Sequence, residues 1–201
     1  MSRRQTWTGL IGVALALVGV WGSWVPHRAA ALSLSAWDLA EFVRFVPGAL
    51  IPHELFYLPV WCAGVALVNL RLGKWAGRVG AALVALGLMA IILPPWPDLL
   101  NGYRAEFRWR FILGAGGMLA VLASMWLASR WRVRVLGALL VGLALLGAVP
   151  ALWQYLQVRG EIEAVYGASI GWGWGLAPFL VGWGLVAATG ARALVRRNDE
   201  R

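Results

Sequence analysis

Charged residues are missing from six long stretches of this 201-residue chain, and together these stretches cover most of it. They are Trp7–Val25, Leu55–Leu70, Val79–Pro97, Phe111–Ser129, Val135–Val158 and Ala164–Ala191. An α-helix rises about 1.5 Å per residue, so about 20 apolar residues cross the roughly 30 Å hydrocarbon core of a bilayer. The missing charge therefore predicts a helical bundle that spans a membrane.

The predicted fold is all-α, a polytopic integral membrane bundle of six transmembrane helices in a single transmembrane domain over residues 1–201. The predicted spans are 7–25, 55–70, 79–97, 111–129, 135–155 and 170–191. The longest predicted loop, Pro26–Glu54, is too short for a separate soluble domain. Any step driven by nucleotide hydrolysis would therefore need a partner subunit.

Side chains that carry chemistry are scarce. The single cysteine, Cys62, cannot form an internal disulfide and is expected to fill space inside the second span. No acidic or basic residue lies near the centre of any span, where proton relays and ion-coupled carriers place ionisable groups. No catalytic residues are therefore predicted, and an enzyme or a self-contained ion-coupled pump is disfavoured.

Histidine occurs only twice, as His27 and His53, which bracket the first loop. Two imidazoles can ligate a b-type haem, or bind a transition metal together with Glu54. These histidines lie beside Pro26 and Pro52 in a loop, whereas haem-binding membrane helices usually carry their ligands within the spans. Haem or metal binding through His27 and His53 is therefore a remote alternative, and no cofactor is expected.

Acidic residues are few, nine against 18 Lys and Arg, which gives a net charge of +9. If the first helix starts inside, the inner segments carry a net charge of +10 and the outer segments −1. The positive-inside rule then places both termini in the cytoplasm. The basic residues form separate collars beside the helix ends, which predicts contact with the lipid bilayer and not with nucleic acid.

Lysine is nearly absent, since 17 of the 18 basic residues are arginine, and this bias is typical of a GC-rich bacterial genome. The predicted location is the bacterial cytoplasmic (inner) membrane. A cleaved signal peptide is the alternative for the first span, because Arg3 and Arg4 precede the apolar run and Ala29–Ala31 follow it. The run is long and contains Trp21 and Trp24, which favours an uncleaved helix.

Small residues at a spacing of four predict how the helices pack, because transmembrane helices associate through close contacts between small side chains. These residues are Gly77, Ala81 and Ala85 on the third span and Gly167, Gly171 and Gly175 at the sixth. Pro178 is expected to lie deep inside the sixth span and to bend it.

The first loop is predicted to contain an amphipathic helix over about residues 35–46 on the outer membrane surface. Ser35 is a good N-cap with Asp38 three residues later, and apolar residues follow at helical spacing as far as Val46. Asp38 and Glu41 are expected in solvent, and Phe42 is expected to be buried. This helix either covers the bundle or acts as a lid.

The third loop alternates aromatic and charged residues from Tyr103 to Arg110. The turn pair Asn101-Gly102 favours an extended strand here, while the alternative is the first turns of the fourth transmembrane helix. The last outer loop, between the fifth and sixth predicted spans, is expected to carry Glu161 and Glu163 outside the membrane.

Aromatic residues from distant parts of the chain are predicted to meet at the outer membrane depth. They are Trp37, Tyr103, Phe107, Trp109, Trp172 and Trp174. Glycines on both sides of Trp172 and Trp174 should leave those rings uncovered. An apolar surface with a polar rim is what a ligand pocket or a partner contact requires, so the binding surface is expected on the outer face.

The favoured function is a non-catalytic accessory or structural subunit of a larger membrane complex, with other membrane-protein subunits as partners. The alternative is the substrate-binding membrane component of a small-molecule transporter that a separate subunit energises. The lack of polar groups inside the spans favours the first of these functions.

Overall fold

The computed structural model describes residues 1–27, 33–43, 53–70, 72–73, 75–101, 104–128 and 130–195. These residues form seven α-helices, a short β-ribbon and two 3₁₀ turns. Helices α1 to α7 are Arg3–Trp21, Ala36–Phe42, Leu58–Asn69, Trp75–Ile92, Ala105–Ala128, Val133–Tyr166 and Leu176–Val195. Strands β1, Ser23–Val25, and β2, Leu34–Ser35, pair antiparallel, and the 3₁₀ turns are His53–Tyr57 and Asp98–Asn101. The all-α class is confirmed.

Four of the described helices are long and apolar enough to cross a membrane, namely α4, α6, α7 and the Phe107–Leu127 part of α5. The first and second predicted spans are not among them. Helix α1 has 19 residues but begins with Arg3 and Arg4, which lower its mean hydropathy. Helix α3 has only 12 residues and is about 18 Å long. The sixfold count of spans is therefore not confirmed.

Glycine allows α7 to lie directly against both α1 and α6. A Cβ atom added to Gly182 would come within 2.6 Å of the Gly12 carbonyl oxygen in α1. One added to Gly190 would come within 2.6 Å of the Gly137 carbonyl oxygen in α6. No side chain fits such gaps, so the helix backbones touch, as is typical of small-residue packing between transmembrane helices.

Helix α3 lies at the centre of the bundle and contacts α1, α4, α5 and α6. Cys62 and Asn69 on this helix are fully buried. Met89 of α4 fills the space left by Gly64 of α3 and Gly117 of α5. The core of the bundle therefore forms around a short helix that other helices surround.

The bundle has two ends of different composition, because consecutive long helices run in opposite directions. At the arginine-rich end, α1, α4 and α6 begin and α7 ends. Its described arginines are Arg3, Arg4, Arg78, Arg130, Arg132, Arg134 and Arg192. At the aromatic end, α1 and α4 end, α5 and α7 begin, and α2 lies beside them. These two ends correspond to the predicted cytoplasmic and outer sides.

Helix α6 is longer than the predicted fifth span, with 34 residues and a length of about 51 Å. It runs through Glu161 and Glu163, so the prediction of a loop there is wrong. The pairing of Arg159 with Glu163, four residues apart, supports the extra turns. The helix ends at Gly167, whose φ of 62° lies in the left-handed region that favours glycine.

Helix α7 begins at Leu176, later than the predicted sixth span. Pro178 therefore lies in its first turn, where a missing N–H is tolerated, so the prediction that it lies deep inside the span is wrong. Gly167 ends α6, and Gly171 and Gly175 lie in the non-helical segment before α7. The three glycines thus share no helix face, because the backbone between the two helices is not helical.

Helix α2 begins as the sequence predicts and is shorter than predicted within the described residues. Ser35 caps it, since its Oγ accepts from the Asp38 N–H at 3.2 Å and Asp38 Oδ2 accepts from the Ser35 N–H at 2.9 Å. Asp38 is exposed, Leu39 is buried, and Phe42 is half-buried rather than buried. Val46 lies outside the described residues.

Candidate functional site

Trp24 forms the centre of a buried aromatic cluster at the aromatic end. Its ring is 0% exposed and lies 4.9–6.2 Å from the ring centroids of Phe56, Tyr155 and Phe179. Its Nε1–H donates to the Gly19 carbonyl at 2.8 Å, and the Tyr155 hydroxyl donates to the Trp24 carbonyl at 3.0 Å. Trp24 is buried although it lies at the end of the first apolar run, because β1 directs this residue into the bundle.

The Gly-Trp-Gly-Trp-Gly segment before α7 runs along β1. The Gly175 N–H donates to the Ser23 carbonyl at 2.8 Å, and a Cβ on Gly173 would lie 2.5 Å from the Ser23 carbonyl carbon. Glycine is therefore required at positions 173 and 175, where the segment lies against β1 and Gly22. Trp172 and Trp174 are each 63% exposed, as their glycine neighbours predicted.

Arg159 ties the end of α6 to this segment. Its Nε–H donates to Glu163 Oε1 at 3.2 Å, and its Nη2 donates to the Ile170 carbonyl. The same Glu163 oxygen accepts from the Ile170 N–H at 3.0 Å. The guanidinium carbon lies 4.8 Å from the centroid of the Trp172 ring. We call these four residues the Arg159 network.

Arg110 of α5 forms a second network. Its Nη1 lies 2.7 Å from Glu41 Oε1 in α2, and its Nε–H donates to the Ile92 carbonyl at the end of α4 at 2.8 Å. The Tyr57 hydroxyl donates to the same Glu41 oxygen at 2.6 Å, and the guanidinium lies 5.0 Å from the Tyr57 ring. We call these four residues the Arg110 network. It joins α2, α4, α5 and the first 3₁₀ turn.

Two residues of the predicted aromatic surface, Trp37 and Trp172, contact the arginines of these networks. The Trp37 ring lies 4.8 Å from the Tyr57 ring and 5.9 Å from the Arg110 guanidinium. Trp172 lies against Arg159, as described above. Each tryptophan therefore combines an aromatic face with a neighbouring arginine, which is the geometry of a cation–π pair.

Three further residues of the predicted aromatic surface, Tyr103, Phe107 and Trp109, lie in the sequence around the start of α5. The described chain is helical from Ala105, so the helical alternative for the third loop is correct and the extended strand is wrong. Phe107 is half-buried and Trp109 is exposed, with the Arg108 guanidinium 5.9 Å from its ring. Tyr103 lies outside the described residues.

Neither histidine occupies a recognisable ligand arrangement in the described part of the chain. The His27 ring packs edge-on against Tyr166 at 5.0 Å between centroids, and His53 Nε2 lies 3.4 Å from Glu54 Oε1. Among the described residues, no three His, Cys, Asp or Glu side chains come together in a group that could hold a metal ion.

Two cavities lie at the arginine-rich end, opposite to the predicted binding surface. One of about 440 Å³ lies between α1 and the end of α7 and is lined by Gln5, Arg192 and Val195. The larger one, of about 640 Å³, lies between the start of α1 and the residues that follow α3. Sequence reasoning missed both, because a gap between helices leaves no local pattern in the chain.

Comparison with known proteins adds no relative, since no protein-family model, no curated protein and no solved structure matches this chain. Its function therefore has to be inferred from its own geometry.

Proposed function

We propose that this chain is a non-catalytic accessory or structural subunit of a larger membrane complex, located in a bacterial cytoplasmic membrane. A single observation carries the proposal, namely that α4 has small residues on two faces, of which only one is buried within the described chain. The buried face holds Ala81 and Ala85, with Ala85 against α3. The opposite, exposed face also consists largely of small residues, which no contact within the described chain explains.

Glycine on the exposed face of α4 has no role within the described residues. A Cβ atom at Gly80 or Gly87 would meet none of their atoms within 4 Å. Glycine inside a helix costs about 1 kcal/mol relative to alanine, so its use normally has a packing reason. At Gly182 that reason is the contact with α1. At Gly80 and Gly87 a helix from another subunit would supply it.

The exposed small residues also follow a helix-packing repeat. The exposed positions Ala76, Gly80, Leu83, Gly87 and Ala90 are separated by four, three, four and three residues. This is the repeat of a helix seam that packs at about 20° against a neighbouring helix. A membrane-spanning helix of a partner subunit is therefore the occupant that we propose for this face.

The distribution of charge supports a non-catalytic role. Among the described acidic and basic residues, Glu54 alone is buried, and it lies at the start of a 3₁₀ turn. Apart from Glu54, the interior of the bundle offers no described carboxylate or amine, so it holds no chain of ionisable groups for proton or ion transfer.

Six spans remain part of the proposal. Helix α1, with 19 residues, has a length of about 28 Å. The 3₁₀ turn His53–Tyr57 continues directly into α3, and together they also reach about 28 Å. Both lengths approach the roughly 30 Å of the hydrocarbon core.

The test compares two double variants in native membranes. Gly80→Ile with Gly87→Ile fills the proposed contact face, whereas Gly142→Ile with Gly184→Ile fills open positions on α6 and α7, where no described atom lies within 4 Å either. After solubilisation in a mild detergent, native gel electrophoresis measures the mass of the particle that contains the chain.

We expect the unaltered chain and the Gly142/Gly184 variant to migrate well above the position of the detergent-bound 21.8 kDa monomer, and the Gly80/Gly87 variant to migrate at that position at an unchanged amount. Migration of the unaltered chain as a monomer would contradict the proposal, and so would equal behaviour of the two variants. Mass spectrometry of the larger particle distinguishes a different subunit from a second copy, and a particle of copies alone would overturn the role as an accessory subunit.

A further inference from the structure

The larger cavity, at the arginine-rich end, lies apart from the two arginine networks and from the exposed face of α4. Its described walls come from the first turns of α1 and from the residues after α3, and they include Arg3, Thr6, Trp7, Leu10, Leu72 and Gly73. A volume of about 640 Å³ is typical of small-molecule sites. The cavity therefore has room for an organic ligand.

The chemistry of the wall changes along α1. Arg3 stands at the first residue of the helix, where the helix dipole also favours an anion. Trp7, one turn further, is 56% exposed and has the amphipathic ring that prefers the headgroup level. Leu10 and Leu72 provide the apolar part. From Arg3 to Leu10 the helix rises about 10 Å, so the gradient from cation to apolar wall is short.

We propose that this cavity binds an anionic phospholipid, with its phosphate at Arg3 and the first part of an acyl chain against Leu10 and Leu72. Arginine matches phosphate oxygens through paired N–H donors. None of the described wall residues is acidic, so a zwitterionic headgroup finds no partner there for its ammonium group. Free phosphate would leave the apolar wall uncovered, which favours a lipid.

Two neighbouring arginines provide a matched test. Arg3 and Arg4 are both exposed, but only Arg3 belongs to the described wall of the cavity. Native mass spectrometry of the purified chain, titrated with phosphatidylglycerol or phosphatidylcholine of the same acyl chains, counts bound lipid. We expect Arg3→Gln to weaken the first phosphatidylglycerol adduct about tenfold, as the loss of one charge-assisted contact implies. Arg4→Gln should leave it within about twofold of the unaltered chain.

A third variant, Leu72→Trp, fills the cavity while keeping both arginines, and it should also remove the first adduct. Equal weakening by Arg3→Gln and Arg4→Gln would show general attraction by the basic collar and would overturn the proposal. Equal binding of phosphatidylcholine would overturn the role of headgroup charge. Competition by inorganic phosphate as strong as that by phosphatidylglycerol would assign the site to free phosphate instead. If Leu72→Trp does not fold, the comparison of the two arginines still tests the proposal.

Discussion

At the scale of single residues, Arg110 and Arg159 each satisfy a backbone carbonyl that lies outside regular hydrogen bonding. Arg110 donates to the carbonyl of Ile92, the last residue of α4, where helix carbonyls lack partners and a positive charge is favoured. Arg159 does the same for Ile170 in the segment before α7. Both arginines thus stabilise the connections at the aromatic end.

The Arg110 network gives a prediction at this scale. The Arg110 side chain is 16% exposed and that of Glu41 is 42% exposed. Arg110→Met removes the donors to both Glu41 and Ile92, so we expect a loss of about 2 kcal/mol in the free energy of unfolding. Glu41→Gln leaves the bond to Ile92 in place and should cost about half as much. Unfolding by sodium dodecyl sulfate in mixed micelles measures both values.

Arg108 serves as the control for these variants, because it is exposed on the same helix and its contact is with the Trp109 ring. Arg108→Met should change the free energy of unfolding by less than about 0.5 kcal/mol. A loss for Arg108→Met equal to that for Arg110→Met would mean that the Arg110 network does not stabilise the fold.

At the scale of elements, the sequence predicts well those parts in which local pattern and tertiary structure agree. The apolar runs identify α4, α5 and α7, and the Ser35–Asp38 capping signal identifies the start of α2. The β-ribbon was missed because its strands have only three and two residues, too few for a pattern. The non-helical segment before α7 was missed because the hydrogen bond from Gly175 to Ser23, far apart in the chain, holds it in place. The loop predicted at Glu161 failed since charge alone does not end a helix.

The contact between α1 and α7 gives a prediction at this scale. Gly182 faces the backbone of Gly12, whereas Gly184, two residues further along, has no described atom within 4 Å of an added Cβ. Gly182→Leu should separate the two helices and prevent accumulation of folded protein, while Gly184→Leu should be tolerated. Size-exclusion chromatography of the solubilised variants measures the folded fraction, and equal behaviour of the two would refute direct backbone contact.

At the scale of the whole molecule, the alternation of helices brings the described members of the predicted aromatic surface to one end, and this follows from the order of the spans. The order of the spans does not predict which residues contact each other at that end. Glu41 and Arg110 are 69 residues apart and meet only in the folded bundle, where α2 packs against α1 and the first 3₁₀ turn. Trp24 lies at the end of the first apolar run and is nevertheless buried, because the ribbon directs it into the bundle.

Orientation in the membrane gives a prediction at this scale. A net charge of +10 at the arginine-rich side against −1 at the other should retain that side in the cytoplasm. A phosphatase reporter inserted within residues 28–32 should be active in the periplasm, and one fused after Arg201 should be inactive. A fluorescent reporter that folds only in the cytoplasm should show the reverse. An active phosphatase after Arg201 would invert the assignment of both ends.

The burial of Cys62 has a consequence for chemical labelling. This thiol is the only one in the chain, and it lies on a helix that four others contact. A maleimide reagent can reach it only when those helices move apart, so the rate of alkylation reports the opening of the core rather than a surface fluctuation. The protein therefore carries an intrinsic reporter of its own unfolding, and a cysteine introduced at a position exposed to water would react first.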